Sequence, residues 1–225
     1  MYPCSNIKDK YNKSEGIKIV YKNLINHYGP QKWWPADSRI EVIIGAILTQ
    51  AVSWSNVEKA IINLKNADLI DFEKIKEIKI NRLAELIKPS GYYNMKAKKI
   101  KAFVSYLDKH YDLDLNQLNK GKPETIRKKL LEIYGIGPET ADSILFYALN
   151  KPVFVIDTYT KRIFSRIGYT TKDIAYNKLK EIIENNLETD LKVFNEYHAL
   201  LVKHAKEHCI KSSPLCNKCP LNNII

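Results

Sequence analysis

The chain has 225 residues, 45% hydrophobic and 27% charged, with a net charge of +11. That length suits one large domain or two small ones around a real core. No apolar run reaches a bilayer span and "MYPCSNIKDK" has no apolar signal core, so a soluble, cytoplasmic chain is expected, nucleoid-associated if prokaryotic. The basic excess is spread over many segments and not gathered in a polybasic tail, so a nucleic acid is expected before a membrane surface.

In chain order the periodicity is helical almost throughout. Ile17, Val20, Tyr21, Leu24 and Tyr28 recur at helical spacing until Gly29-Pro30 stops them. Ser38 with Glu41 reads as a capping box that opens the very apolar "IEVIIGAILTQ", and a second start near Ser53 runs to about Leu64. "NRLAELIKPSGYYN" predicts a short helix ended by Pro89 and Gly91, after which Asn94 caps the long "MKAKKIKAFVSYLDKHY". Pro123 suits the first turn of "PETIRKKLLEIY". Gly135-Ile136-Gly137 ends that helix and Pro138 opens another, to about Leu149. "KPVFVID" is β-branched and extended, and helices resume at "TYTKRIFSRIG", "DIAYNKLKEIIENNL" and "KVFNEYHALLVKHAKEHC". With no repeat and no strand series, the expected class is all-α.

The glycine hairpin, Tyr134 to Pro138, joins two helices and exposes amides at a helix N-terminus, which suits a phosphate oxygen. Glycine is expected there for positive φ and close backbone approach. Taken singly, the features have plainer readings. Gly-x-Gly is also an ordinary turn, Asp157 a helix N-cap, and Glu139 a partner for the helix dipole. Trp33 and Trp34 read as interface packing, Trp54 as core, and Gln50 as a polar helix end.

Together, "LLEIYGIGPETADSILFYALNKPVFVIDTYTKRIF" resembles the helix–hairpin–helix and Gly/Pro-Asp signature of the endonuclease III superfamily of DNA glycosylases. "GAILTQAVSWSNVEKAI", "GYYNMKAKKIKAF" and "HALLVKHAKEHC" extend the resemblance over about residues 17 to 221. It implies two helical subdomains with a cleft between them: about 38–149 with the hairpin at 134–138, and about 1–37 with 150–225. It also implies that a monomer grips double-stranded DNA containing a damaged base and flips the damaged nucleotide into the cleft. By position it makes Asp157 the catalytic carboxylate, which stabilises an oxocarbenium-like sugar and activates water. Gln50 falls where the family fills the gap left by the flipped nucleotide.

Bifunctional members carry a lysine at the position of Glu139, whose amine forms a Schiff base. Glutamate cannot, so a monofunctional enzyme is expected. "GIGPETAD" looks like the hairpin of the endonuclease III-type 3-methyladenine glycosylases, and Trp33, Trp34 and Trp54 then line a pocket for a cationic alkylated purine beside Glu139. The alternatives are a bifunctional glycosylase/lyase on oxidised pyrimidines, with Lys151 or Lys161 displaced into the role, and a non-catalytic DNA-binding protein. Gly135, Ile136, Gly137, Lys96, Lys98, Lys99, Lys128 and Arg162 are the expected backbone contacts. Cys209, Cys216 and Cys219 match the start of the family's iron–sulfur loop, but Ile225 stands at the fourth position. Three readings stay open: a [4Fe–4S] cluster with another ligand, zinc with His204 or His208, or cysteines that only pack, with Cys4 too far along the chain to place.

Overall fold

A computed structural model describes Ile7, residues 10–31, Trp33 and residues 36–224, the side chains of Lys13 and Asn223 excepted. Trp34, Cys4 and Ile225 lie outside the described residues. Among those described, every regular element is helical and none is a strand. The chain divides into two compact units, Pro35–Lys151 and Met1–Trp34 with Pro152–Ile225.

The first unit carries α2 (Arg39–Leu48), α3 (Trp54–Asn66), α4 (Phe72–Glu77), α5 (Ile80–Leu86), α6 (Tyr93–Tyr111), α7 (Leu115–Leu118), α8 (Pro123–Leu131) and α9 (Pro138–Ser143). Helix α2 is its core, apolar on most sides, with Val42, Ile43, Ile44, Ile47 and Leu48 all buried. Ser38 caps it by accepting from the Glu41 amide at 3.1 Å. The Glu41 carboxylate does not close the expected box, however. It accepts from the Asp37 amide at 3.3 Å and from Lys65 at 2.9 Å. Helix α6 is capped two residues before the expected Asn94, by Tyr92 at φ 45°, and Asn94 lies inside its first turn. After α9 the chain widens into a π-turn, Ile144–Ala148, whose five side chains are all buried.

The second unit holds α1 (Lys13–Tyr28), α10 (Thr158–Arg166), α11 (Tyr176–Glu184) and α12 (Leu191–Glu207). Asn12 and Glu15 close a full capping box on α1, and Gly29 at φ 67° ends it. Gly16 lies flush against the Tyr169 ring, where an added Cβ would stand 2.8 Å from the ring carbon. "VFVI" is buried but forms no ladder. Two of its amides are satisfied by side chains instead, Phe154 donating to Glu184 at 2.7 Å and Ile156 to the Tyr176 hydroxyl at 3.3 Å.

Candidate functional site

Helices α8 and α9 form the hairpin. Gly135 has φ +80°, and the Cγ, Cδ and Cε atoms of the Lys99 stem occupy the volume a side chain would need. Two constraints, a left-handed backbone and a filled neighbour volume, therefore demand glycine there. Gly137 differs. Its φ is −91° and nothing lies within 4 Å of an added Cβ, so folding does not require glycine at 137. Ile136 also departs from its expected role as a DNA contact. Its side chain is buried, and its amide donates to the Ile133 carbonyl at 3.0 Å, closing the turn from within.

Gln50 holds this hairpin from α2's end. Its amide nitrogen donates to the Gly135 carbonyl at 3.0 Å and to the Thr140 hydroxyl at 2.9 Å, while its oxygen accepts from Lys99. Gln50 and Lys99 are thus hairpin struts in this state, and insertion of Gln50 into DNA requires it to leave those bonds. Beneath them, Arg127 of α8 grips the fully buried Asp142 of α9 through two bonds of 2.7 and 3.1 Å.

Two more of the cations expected at phosphates are committed elsewhere. Lys96 is 2% exposed and donates to the Leu48 carbonyl at 2.8 Å and the Ser90 carbonyl at 2.5 Å. Burial, helped by the Lys99 charge, brings its pKa down to about 8. Arg162 donates to the Cys209 and Ala205 carbonyls at 2.9 and 3.1 Å and covers the Tyr159 ring. Lys98 and Lys128 are exposed. Lys96→Met strips two interior carbonyls of their donor and is expected to cost roughly 2–3 kcal/mol of stability in urea unfolding. The salt dependence of DNA affinity should not change, and a shallower slope would restore Lys96 as a phosphate contact.

Trp54 is half-buried, its indole N–H donating to Glu58 at 2.9 Å and its ring lying against Gly45. The Trp33 carbonyl accepts from Asn195 at 2.9 Å. Glu139 is exposed in the first turn of α9, and its carbonyl accepts from the Ser143 hydroxyl at 2.8 Å. Tyr92, to which the sequence reading gave no role, is 75% exposed on its left-handed backbone.

Asp157 caps α10. One oxygen accepts from the Thr160 amide at 2.6 Å and the other lies 3.7 Å from His198 Nε2. The carboxylate side chain is 13% exposed. Burial pushes its pKa up, but His198 and the Thr160 donors outweigh that, and the net position is below the ordinary aspartate value. An ionised, nearly desolvated carboxylate can stabilise positive charge strongly. The sequence reading missed His198. It occupies the apolar stripe of α12 with Phe194, Tyr197 and Leu201, where a histidine looks like filler. The signal available was its shared stripe with residues packing on "VFVID".

The cysteine loop does not fit a cluster held by four thiolates. Three thiols and Ile225 occupy the four expected positions, and among the described residues no group of three or more Cys, His, Asp or Glu is gathered to hold an ion. Cys219 Sγ approaches His204 Nε2 at 3.6 Å. Burial raises the Cys219 pKa and brings that of His204 down to about 3, so the pair stands as thiol and neutral ring. Other bonds fasten the loop. Arg166 donates to the Ile210 and Lys211 carbonyls, each at 2.7 Å, and the Tyr28 hydroxyl lies 3.1 and 2.7 Å from the Nδ1 atoms of His204 and His208.

A family model described as "HhH-GPD superfamily base excision DNA repair protein" matches residues 44–189. Over 214 residues the chain is 48% identical to the Methanocaldococcus jannaschii protein named "Putative DNA repair glycosylase MJ1434", covering 94% of this chain and 96% of that one. Among solved structures it is similar to the H. pylori 3-methyladenine DNA glycosylase MagIII bound to 1,N6-ethenoadenine. There the TM-score is 0.73 at 29% identity, over 89% of this chain and 100% of that one. A non-covalent endonuclease III–DNA complex has a TM-score of 0.81 at 18% identity, over 95% of each chain, a likeness of fold.

Proposed function

The chain belongs to the HhH-GPD superfamily of base excision DNA repair proteins and is a DNA glycosylase of that family, and from that premise we propose that it is a monofunctional enzyme releasing alkylated purines such as 3-methyladenine. The observation that carries the reading is Glu139 in the first turn of α9, where bifunctional relatives have a lysine. A carboxylate there cannot form a Schiff base, and it favours a cationic base. Trp54, half-buried in the same unit as Glu139, supplies an aromatic face for such a base, a contact that adds on the order of 1–2 kcal/mol when desolvated. The ethenoadenine bound by the similar MagIII, itself a modified purine, supports this substrate class.

In the proposed reaction the bond from sugar C1′ to the base nitrogen breaks and its electron pair leaves with the base. An N-alkylated purine is already cationic and departs neutral, so it needs no strong acid. The positive charge then resides on the sugar, beside the Asp157 carboxylate. Water adds to C1′ and gives its proton to Asp157, which passes it to solvent. Tyr92 offers an exposed ring able to stack in the duplex during nucleotide flipping.

The test uses purified protein and duplex DNA treated with a methylating agent. Free 3-methyladenine, with strand breaks only after alkali, is the expected result. Breaks without alkali would overturn the monofunctional assignment. Release of oxidised pyrimidines alone would overturn the substrate class.

A further inference from the structure

His198 is a buried titratable group that the reaction above does not use. It is 7% exposed, and its Nε2 lies 3.7 Å from the Asp157 oxygen not engaged by Thr160. That separation is too long for a hydrogen bond and short enough for an ion pair with a protonated ring. The ring cannot drift far. Phe154 meets it edge-on at 6.4 Å and 87°, and Phe154 is itself packed against Phe194 at 5.4 Å and Tyr197 at 5.8 Å.

Several charged or titratable groups on the elements packed here bond elsewhere, while Lys161 of α10 stands half-buried four residues beyond Asp157. Arg162 of α10 serves the carbonyls of Ala205 and Cys209, Glu184 of α11 serves the Phe154 amide and Lys180, and Glu196 of α12 serves the Gln31 amide. The Tyr197 hydroxyl donates to the Ile17 carbonyl of α1. Among the described residues His198 is the cation-capable group found within 4 Å of the Asp157 carboxylate.

Resting on the glycosylase reading above, we propose that His198 is a positioning residue for Asp157, steadying the carboxylate oxygen that faces the sugar while the Thr160 amide fixes the other. Hydrogen bonds at catalytic groups are often long before substrate arrives and tighten in the complex. Closure of the 3.7 Å gap as positive charge builds on the sugar would hold the carboxylate in its aimed rotamer.

The experiment compares the full-length chain with His198→Met, which keeps volume without a donor, and His198→Gln, which keeps an N–H. Two quantities are read: the Asp157 carboxyl titration by carbon-13 NMR, and single-turnover excision set against affinity for a duplex holding an abasic-site analogue. In H198M the Asp157 midpoint should rise, since burial is then less opposed, and the acid limb of the rate should move to higher pH. The excision rate should fall about 10–100-fold with affinity unchanged, and H198Q should recover much of it.

An unmoved Asp157 midpoint in H198M overturns the inference. So does a loss shared equally by H198M and H198Q and matched by lost affinity, which marks a merely structural role. The titration needs no substrate. A wild-type chain that released no base would therefore count against the proposed function, while the Asp157 midpoint would still decide the role of His198.

Discussion

Replacing Asp157 by asparagine is expected to stop base release while leaving the fold and DNA binding in place. Asparagine is nearly isosteric and caps helices as well as aspartate does, so the bond from the Thr160 amide, 2.6 Å in the wild type, has an acceptor in the variant. What disappears is the negative charge. A carboxylate that stabilises a cationic sugar and takes a proton from water is worth about 10²–10⁴ in rate. Single-turnover excision from methylated duplex should fall by that factor, and a gel shift on the same DNA should show affinity equal to the wild type or better. Asp157→Ala should lose the rate and in addition about 1 kcal/mol of stability with the cap. An asparagine variant that cut at the wild-type rate would remove Asp157 from the chemistry and return it to the plain role of a helix cap.

The second large effect concerns the hairpin's foundation. Asp142 has 0% side-chain exposure and its partner Arg127 has 18%. Asp142→Ala removes the buried carboxylate that Arg127 grips through two bonds, and breaking a buried pair in this way costs up to about 3–5 kcal/mol. Total stability in domains of this kind is about 5–15 kcal/mol, so the midpoint in urea should drop steeply. DNA affinity should drop with it, because the pair joins the two helices that carry the Gly135 turn. The double replacement Arg127→Met with Asp142→Leu should regain much of the stability, since a well-packed apolar pair can match a buried ionic one. A single Asp142→Ala variant as stable as the wild type would show that solvent reaches Arg127 and that the pair does not anchor the hairpin.

Much of the architecture was legible because its signals are local. Ser38, Pro123 and Gly29 act within one helical turn, and each helix boundary they mark is found near the expected place. The Gly135 turn and the cap at Asp157 are equally local, and both were found by their residue types. Side-chain partners across the fold were not legible in this way. Lys96 was read as part of a basic run, yet it continues by one turn the buried stripe of Ile100, Phe103 and Leu107 on α6. Extending that stripe backwards would have marked it as interior. Arg162 has no such mark, because its acceptors are the Ala205 carbonyl in the last turn of α12 and the Cys209 carbonyl two residues past its end, more than forty residues away. The capping geometry of α6 was also misread. A left-handed Tyr92 has no sequence signature, since the residue types that favour that region are glycine, asparagine and aspartate.

The five cations first assigned to the DNA backbone are equal in a sum of charge but unequal in counterion release. Each phosphate neutralised contributes about −0.9 to the slope of log affinity against log salt. Lys96, Lys99 and Arg162 already have protein acceptors, leaving Lys98 and Lys128 exposed for the exchange. Should Lys98 and Lys128 each meet a phosphate, the slope expected from this group is about −1.8 and not about −4.5. Across a tenfold rise in salt, these five residues are then expected to cost the complex on the order of 60-fold in affinity, where a reading by charge alone predicts a loss on the order of 30,000-fold.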